Sequence, residues 1–574
     1  MAFDGITTKK IADELQVLSG ARIDKVFQPN KNEIILGLYI NGVNYALEMC
    51  IDSGNYRINL TTHSKSNPQV APNFCMLLRK HLIGLKLKNI ITFGLERLVI
   101  LDIEGFDEFE DVVSKKLIIE LMGKHSNIIL VNESNIIIDS MRHIKSDDEV
   151  NRSILPHIKY QFPTTSKIDF LSLNNFTDFK NNLQEYNISN LSSVICDTYN
   201  GISKSFIDNL IISIADESKD IDEVLEKIYN YISKALETTE NTHFDVVEKE
   251  INKKIKKDYF LQLGSNSSTP ISLNFFIDDF YYSKETNDSF KAYRDTTLKL
   301  ILGILKKYNT RLINIDSKLK ECENMDIYKL YGELITANLY KIENKNLEYV
   351  ELENYYDNNK LIKIPLDKKY LPSINAKRFY KKYNKLKNTL EIVGIQKQET
   401  IKELDYLESI VYELESATTI DEVAQIFDEI SENVMIKDTI SKNQKKIKIK
   451  KSKLTKNKEV SFNPIKYTFE GYTIFVGRNN KENDHLTLKY ANKMDYWFHT
   501  KDIHGSHVIL KCTENFIPTD DILYKCAEFA AKHSKAKNSS NVPVDYCLVK
   551  YVKKPNGAKP GMVIYTNNKT IFVK

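Results

Sequence analysis

Two apolar seams with heptad spacing constrain the fold of this chain more than any other feature of its sequence. Each seam steps by alternating intervals of four and three residues, which places its side chains along one face of a long helix. The first seam runs over residues 301–322 and the second over residues 386–414. Two such helices in one chain predict an antiparallel coiled coil with a small tip over residues 286–436. A parallel dimer through either seam is the alternative.

The sequence on either side of the seams predicts a multidomain α+β protein. Short β-rich runs separated by Asn, Gly and Ser predict a mixed α/β domain with an antiparallel sheet over residues 1–170. Residues 170–240 change to helical periodicity, and residues 171–285 are predicted to contain a helix-hairpin-helix and a connector. Within it, residues 200–203 (Asn-Gly-Ile-Ser) resemble the glycine turn of a helix-hairpin-helix, with a plain helical connector as the alternative. Residues 461–574 return to strands and a helix, which predicts a compact C-terminal α+β domain.

Basic charge is concentrated in the C-terminal quarter of the chain. The whole chain carries a net +4, but residues 437–574 contain 27 basic and 12 acidic residues, a net +15, so the preceding residues carry −11. Residues 437–458 alone contain ten lysines and one acid, so we expect residues 437–460 to be a solvated lysine-rich linker that can also hold phosphates. This asymmetry is typical of a polyanion-binding module attached to a scaffold.

The sequence argues against several functional classes. Apolar runs fall short of the roughly 18 residues of a membrane span, and MAFDGITTKK has no signal-peptide features, so we expect a cytoplasmic protein without membrane contact. The 7 cysteines form no CxxC pair, which argues against a disulfide framework and a zinc knuckle. His499, His504 and His507 are not expected to bind zinc, because strand alternation would splay their side chains. We therefore expect no metal and no cofactor.

Several longer motifs resemble one known family. MAFDGITTKK and three later segments resemble the N-terminal domain of the NFACT family: Phe74–Leu82, Gly94–Leu101 and Lys115–Leu130. Three further segments resemble its RNA-binding domain, NFACT-R: Asp495–Leu510, Ala530–Tyr546 and Tyr551–Val573. The resemblance covers nearly the whole chain, and the domain order matches. It implies that residues 1–170 are an NFACT-N domain resembling the N-domain of formamidopyrimidine-DNA glycosylase, and that residues 461–574 are NFACT-R.

The resemblance implies a function in ribosome-associated quality control. Bacterial members of the family bind stalled, split large (50S) ribosomal subunits that carry peptidyl-tRNA. They recruit alanyl-tRNA for untemplated C-terminal alanine tailing, which marks the nascent chain for degradation. The implied partners are the 50S subunit, tRNA, rRNA and a small S4-domain RNA-binding protein, and DNA is not among them. Peptide bonds would be formed by the ribosome, so the resemblance implies no catalytic residue and no enzymatic activity.

The resemblance also implies tRNA-binding residues in the N-terminal domain. Glu96-Arg97 matches an acidic residue followed by arginine that is implicated in tRNA handling, although many members have aspartate first; a surface ion pair is the alternative. Asp4 matches a family acidic position, with a helix N-cap as the alternative. A turn suited to a phosphate, or a plain hairpin turn, and one helical arginine complete the set: Lys124, His125, Ser126, Asn127 and Arg79.

Residues with RNA-binding chemistry also occur in the C-terminal domain. Trp497 can stack on a base, but a Tyr-Trp-Phe run in a strand is also typical of a core. A helix end further along the chain carries charges and neutral donors that suit a polyanion. The predicted RNA-binding residues are Trp497, His499, Lys501, Asp502, His507, Lys532, Ser534, Lys535 and Asn538, with Lys537 in the same patch.

Three rival functions follow from the same motifs. A DNA-repair glycosylase needs an N-terminal proline or comparable amine nucleophile, but Ala2 and Phe3 stand there, so this activity is rejected. A surface adhesin, the function in the family's historical fibronectin-binding label, would need export without a signal peptide. A general RNA-binding scaffold without a part in tailing differs from the tailing factor in having no specific tRNA selection.

Overall fold

The structure is a computed structural model that describes most of the chain in two compact units. The units are Met1–Thr286 and Asn287–Lys574. The predicted lysine-rich linker, residues 437–460, lies outside the described residues. The described residues are 3–106, 110–145, 152–214, 220–237, 242–251, 254–264, 272–342, 347–432, 462–512 and 517–574.

A nine-stranded antiparallel sheet forms the centre of the first unit. Its strands are β1 Arg22–Phe27, β2 Glu33–Ile40, β3 Val43–Cys50, β4 Arg57–Leu60, β5 Lys86–Thr92, β6 Leu98–Phe106, β7 Val112–Glu120, β8 Asn127–Asn132 and β9 Ile137–Ser140. Their order across the sheet is β4-β3-β2-β1-β5-β6-β7-β8-β9. Asn41 and Gly42 join β2 to β3 with φ of +51° and +82°, the backbone conformation that an Asn-Gly hairpin turn requires. The predicted antiparallel sheet is therefore present.

Helices cover this sheet and continue into the connector. Helix α1 (Gly5–Leu15) buries Ile6, Ile11 and Leu15 in the same core as the apolar residues of the sheet. The later elements are α2 Asn73–Leu82, α3 Phe176–Asn181, α4 Leu191–Thr198, α5 Lys204–Ile214, α6 Ile221–Glu237, the hairpin β10 Thr242–Ile251 and β11 Lys254–Leu263, and α7 Leu273–Glu323. The sequence analysis made no prediction for the β10–β11 hairpin, which follows the helical stretch of residues 170–240 within the connector.

A buried ion network joins the start of α7 to the sheet. Arg57 on β4 is 1 % exposed and its guanidinium binds Glu48 on β3 at 2.8 Å and Glu285 on α7 at 2.6 Å. The ammonium of Lys65 lies 3.0 Å from Glu285 and 3.3 Å from Glu33. Three carboxylates thus share two cations, so each charge has an opposite partner in a region with little water.

Two long helices, α7 and α9 (Pro372–Ser416), carry the heptad seams and run in opposite directions. Helix α9 packs against α7, since Ile301 and Ile304 share a core cluster with Leu407 and Ile410. Further along α7, and nearer the start of α9, Lys397 binds Asp316 at 2.8 Å. Because positions rise along α7 as they fall along α9, the pair is antiparallel. Between them lie α8 Met325–Ala337, β12 Tyr349–Asn354 and β13 Lys360–Pro365, and α10 Ile420–Glu432 follows.

A six-stranded sheet forms the C-terminal part of the second unit. Its strands are β14 Ile465–Phe469, β15 Tyr472–Val476, β16 Tyr496–Thr500, β17 Val508–Leu510, β18 Val542–Leu548 and β21 Lys569–Val573; the short pair β19 Val552–Lys553 and β20 Ile564–Tyr565 stands apart. The order is β14-β15-β17-β16-β18-β21. Helix α11 (Asn480–His485) follows β15, and α12 (Asp520–Lys532) buries Ile522, Cys526 and Ala530 in the core of this sheet.

Among the residues described, no helix combines the length and the apolar character needed to cross a membrane.

Replacing Arg57 with alanine is expected to lower the free energy of unfolding by about 3 kcal/mol or more, because three carboxylates would then face the single ammonium of Lys65. Urea unfolding of the full chain, followed by circular dichroism, measures this loss. The control is Arg22→Ala, which removes the exposed Arg22–Asp24 pair from β1 and should leave the urea midpoint unchanged. Equal effects of the two substitutions would contradict a special role for the network.

Candidate nucleic-acid interface

Asp4 is the N-cap of α1. Its carboxylate accepts a hydrogen bond from the backbone N–H of Thr7 at 3.0 Å and one from the hydroxyl of Ser203 at 2.8 Å. The side chain is buried, and burial raises the pKa of Asp4. Since both carboxylate oxygens are used within the chain, the structure supports the helix-cap alternative over direct contact with tRNA. Asp4 instead fixes the turn that carries Ser203.

Three separate segments meet beside Asp4 without side chains between them. The backbone N–H of Gly5 donates to the carbonyl of Gly201 at 2.6 Å. A Cβ placed on Gly201 would lie 1.9 Å from the carbonyl oxygen of Leu95, and a Cβ on Gly5 would lie 2.0 Å from the same oxygen. Gly201 also has φ of +73°, which favours glycine. We call Gly5, Leu95 and Gly201 the glycine junction; it brings the Glu96-Arg97 segment next to the predicted helix-hairpin-helix turn.

The glycine junction presents Glu96 and Arg97 at its edge. Both side chains are half-buried. Burial raises the pKa of Glu96, opposed by a hydrogen bond from Asn200 and by the charge of Arg97. The carbonyl of Arg97 accepts from the N–H of Leu121 at 2.9 Å, and its guanidinium interacts with Tyr56. The pair is thus held by the sheet and by the connector, and is more than a surface ion pair.

An apolar pocket of about 260 Å³ opens beside Glu96. Phe93, Leu98, Phe162 and Pro163 line it together with Glu96, and the rings of Phe93 and Phe162 meet edge to face at 5.4 Å. Flat aromatic walls with one carboxylate at the rim suit a nucleobase, which stacks and donates hydrogen bonds from its edge. The sequence analysis missed these two phenylalanines, because they are 69 residues apart and no local pattern connects them.

The predicted phosphate-binding turn separates into exposed and structural residues. Lys124 and His125 are exposed, and Leu121, which binds Arg97, precedes them by a few residues. Ser126 and Asn127 are fully buried; the hydroxyl of Ser126 accepts from the N–H of Met122 at 2.9 Å, and the Asn127 amide binds the backbone of Arg142. Only the first two can reach a ligand in this conformation, and the structure corrects the prediction for the other two.

Two arginines link separate elements of the first unit. Arg142 donates to the carbonyls of Lys124 and Ser126, each at 3.2 Å, and so holds the turn in place. Nothing in the sequence around Arg142 indicated this role. The Nε–H of the predicted Arg79 donates to the carbonyl of Val26 at 2.9 Å, which ties α2 to β1. Arg79 is half-buried, so part of its guanidinium is engaged in the fold.

In the C-terminal domain the predicted base-stacking tryptophan is a core residue. Trp497 is 0 % exposed and packs with Leu486 and Ile509, so the structure corrects its assignment to a base. His507 is also buried, and its Nδ1 lies 2.8 Å from the hydroxyl of Thr487. These side chains stabilise the sheet from within.

The three histidines of this domain are arranged differently from the prediction. The rings of His499, on β16, and His507, directly before β17, lie 5.5 Å apart, so the predicted splaying is wrong for this pair. Burial lowers the pKa of His499 to about 4 and that of His507 to about 3, which keeps both neutral. His504 lies 3.8 Å from Glu408 instead. In the described part of the chain the three do not form a metal-ligand cluster.

The surface that remains for RNA is formed by lysines at and directly after the end of α12. Lys532, Lys535 and Lys537, with Asn538, are exposed; we call them the lysine patch. Ser534 is buried instead, because its hydroxyl donates to the carbonyl of Ala531 and accepts from the N–H of Ala536. Lys501 and Asp502 are exposed at the end of β16, and His499 is half-buried.

Comparison with known proteins covers the full chain. Residues 4–449 match the NFACT N-terminal and middle domains, and residues 460–567 match the NFACT protein RNA binding domain. The chain is 33 % identical to the Rqc2 homolog RqcH of Bacillus subtilis (strain 168) and 32 % identical to the Rqc2 homolog RqcH of Streptococcus suis (strain 05ZYH33), each over 100 % of this chain and 98 % of the relative. The crystal structure of the fibrinogen binding protein from Staphylococcus aureus aligns with 49 % of this chain and 99 % of its own, at 28 % identity and a TM-score of 0.42.

Replacing Gly201 with alanine is expected to disrupt the glycine junction, because the new Cβ meets the Leu95 carbonyl and the backbone has positive φ. The strain of a positive φ alone costs about 1–3 kcal/mol of unfolding free energy. Thermal unfolding, together with faster exchange of the Gly5 N–H that donates to the Gly201 carbonyl, measures the effect. Gly303→Ala is the matched control, since nothing lies within 4 Å of its Cβ in helix α7, and it should be neutral or slightly stabilising. Equal melting temperatures for the two variants would refute a tight junction.

Acid is expected to destabilise the C-terminal domain through His499 and His507. Both are neutral in the fold but take up a proton near pH 6.5 when unfolded, so their contribution to stability is complete above pH 6.5. It is lost progressively as the pH falls toward about 3. Urea unfolding followed by the fluorescence of Trp497, the chain's single tryptophan, reports on this domain. His507→Gln should flatten the pH dependence between 6.5 and 4, and His143→Gln, at an exposed histidine, should not.

Proposed function

Because this chain belongs to the NFACT family, we propose that it is a ribosome-associated quality-control factor. In this function it binds stalled large (50S) ribosomal subunits that carry peptidyl-tRNA. It recruits alanyl-tRNA to them for untemplated C-terminal alanine tailing, which marks the nascent chain for degradation. The chain is not an enzyme in this proposal, because the ribosome forms the peptide bonds and the factor positions the substrates.

The observation that carries the proposal is the presentation of Glu96 and Arg97 beside an aromatic pocket. Arg97 offers a planar guanidinium for a phosphate or a guanine edge, and Glu96 can accept from a base amino group. Glu96 is also partly desolvated, so a hydrogen bond to it is stronger than one in water. Exposed Lys124 and His125 follow the strand that binds Arg97 and supply further donors for the tRNA backbone.

The N-terminal half of α9 supplies a surface for docking on ribosomal RNA. Between Pro372 and Leu390 this helix carries six basic residues and no acidic one. Each of the six is exposed: Lys377, Arg378, Lys381, Lys382, Lys385 and Lys387. A row of solvated cations on a rigid helix binds a phosphate backbone without reading its sequence. The arm thus serves docking to the subunit, and tRNA selection stays with the N-terminal domain.

The finer architecture forms part of the same proposal. Residues 1–170 are an NFACT-N domain with the glycosylase-like fold, and residues 171–285 contain a helix-hairpin-helix with its turn at Gly201. Residues 286–436 are an antiparallel coiled coil with a small tip, and residues 461–574 are NFACT-R. The factor acts in the cytoplasm with rRNA and a small S4-domain protein as partners, and uses no cofactor.

Arg97→Ala is expected to lose tRNA while it keeps the large subunit. Removal of a specific arginine contact costs about 1–3 kcal/mol, or about tenfold in affinity. The measurement is a tagged pull-down from cells, in which ribosomal proteins are identified and bound tRNAs are sequenced. Wild type should bring down large subunits without small ones and enrich alanine tRNA.

Two further variants test the chemistry of the neighbouring carboxylate. Glu96→Asp keeps the charge and should retain tRNA, whereas Glu96→Gln should reduce it. Arg22→Ala, at an exposed arginine of the same domain, is the control and should behave as wild type. If neither large subunit nor tRNA rises above background with wild type, the proposal is wrong, and the adhesin and scaffold alternatives take its place.

A further inference from the structure

Helices α9 and α10 lie against one face of the C-terminal sheet domain and are joined to it by pairs of opposite charge. In each pair the carboxylate belongs to a helix and the cation belongs to the sheet domain. The three pairs are Glu403–Lys559 at 2.9 Å, Glu422–Arg478 at 2.9 Å and Glu432–Lys481 at 2.7 Å. We call Arg478, Lys481 and Lys559 the covered face, because the carboxylates of the helices neutralise it.

Neutral polar contacts extend the same interface. The amide of Asn479 donates to the side-chain carbonyl of Gln425 at 2.9 Å, and that of Asn480 donates to the hydroxyl of Ser409 at 3.2 Å. Among the described residues of the sheet domain, only Met562 packs against the apolar core of α7, α9 and α10. An interface joined mainly by polar groups is typical of domains that move relative to each other.

The interface also encloses empty space and buried carboxyl groups. A cavity of about 260 Å³ lies between the helices and the sheet domain. Burial raises the pKa of Glu413, on α9, and the charge of Glu429, on α10, raises it further; burial also raises the pKa of Glu429 to about 7. Asn480 of the sheet domain hydrogen-bonds to both carboxyl groups. Separation of the two parts would return these groups to water, which lowers the cost of opening.

The covered face continues into the lysine patch. Arg478, His504 and His533 line the same cavity. His533 follows Lys532 in the chain, and the backbone N–H of Lys535 donates to the carbonyl of His504 at 2.9 Å. Without the helices, the covered face and the lysine patch therefore border each other and form one basic surface.

RNA phosphates and the helix carboxylates are alternative partners for this face. Both are anions that accept hydrogen bonds from arginine, lysine and amide groups. The side chains of the three cations remain 28–33 % exposed, so each ion pair is screened by water and holds the interface only weakly. An RNA strand already bound at the lysine patch presents its next phosphates at a high local concentration. Such a strand can replace the glutamates.

We propose that α9 and α10 hold the C-terminal domain in an autoinhibited state, in which their glutamates occupy a phosphate-binding face, and that RNA displaces them. In the open state Arg478, Lys481 and Lys559 bind phosphates together with the lysine patch. This inference rests on the proposed RNA binding, and it adds regulation to that function. An acidic protein segment carries the same charge as RNA, but the adjoining lysine patch favours RNA as the partner.

The test measures how an uncovered face changes RNA binding by the full chain. The open variant is Glu403→Gln/Glu422→Gln/Glu432→Gln, which keeps the size of each side chain and removes its charge. The probe is a fluorescein-labelled uridine oligonucleotide of about 20 nucleotides, and fluorescence anisotropy over a salt series gives each Kd. In wild type, phosphates exchange with carboxylates and release few counterions. In the open variant the slope of log K against log salt should steepen by about two, and affinity at low salt should rise about tenfold.

A matched control separates the covered face from a general change of charge. Glu391→Gln/Glu399→Gln/Glu415→Gln removes three exposed glutamates of α9 that lie outside the ion pairs described above. It changes the net charge as much as the open variant does. Its salt slope should equal that of wild type, because no cation of the sheet domain is released.

Two lysines of the covered face and a folding check complete the test. Lys481→Ala and Lys559→Ala, added to the open variant, should reduce its salt slope by more than one, since two phosphate contacts are lost. The fluorescence of Trp497 during urea unfolding shows whether each variant retains a folded C-terminal domain. If the open variant does not, Glu422→Gln/Glu432→Gln, which leaves the buried Glu403 in place, is measured instead.

The outcomes separate this inference from the proposed function. Equal slopes for wild type and the open variant overturn the inference, as does an equally steep slope in the matched control. A steep slope that survives the two lysine substitutions overturns it too. If only an oligoglutamate peptide of equal length gains affinity in the open variant, the partner is an acidic protein segment and RNA is wrong. If no folded variant binds the strand, the inference fails, and the pull-down of tRNA and large subunits decides the proposed function independently.

Discussion

The glycine junction is the contact on which the arrangement of the first unit depends. Gly5 opens helix α1, Leu95 lies in the loop before β6, and Gly201 lies in the connector, so three parts of the chain that are far apart in sequence share one point. Their backbones touch because two of the residues lack a Cβ. Asp4 then accepts a hydrogen bond from the half-buried Ser203 across the same point, which adds to the close packing.

This constraint has a direct consequence for recognition. A loop that is held on one side by Leu121 and on the other by the connector has little freedom left to lose when a ligand binds. Binding through Glu96 and Arg97 therefore costs less conformational entropy than binding through a flexible loop. Recognition of this kind depends on geometry and desolvation, whereas the exposed lysine patch acts through charge and is screened by salt. In the proposed function, selectivity for tRNA belongs to the first kind of contact, and general affinity for RNA belongs to the second.

The sequence predicted the periodic elements well and the roles of buried polar residues poorly. Alternation and an Asn-Gly turn indicate an antiparallel sheet before residue 170, and the heptad seams coincide with α7 and α9. Burial of Asp4 depends on Ser203, a partner 199 positions away, and no local pattern can show such a pairing. The burial of Ser126 and Asn127 likewise depends on hydrogen bonds between their turn and Arg142, which no local pattern indicates. The burial of Trp497 could not be predicted without the strand order, because β16 lies inside the sheet between β17 and β18.

Charge segregation along α9 connects the arm to the C-terminal domain. The N-terminal half of α9 is basic. The C-terminal turns of α9 and helix α10 carry carboxylates that bind cations of the C-terminal domain: Glu403 binds Lys559 at 2.9 Å and Glu422 binds Arg478 at 2.9 Å. Each partly exposed pair contributes little alone, but a single sign on each side favours one docked orientation over the others. The carboxylates on α9 and α10 offset cations of the C-terminal domain that would otherwise attract RNA, while the lysine patch stays exposed.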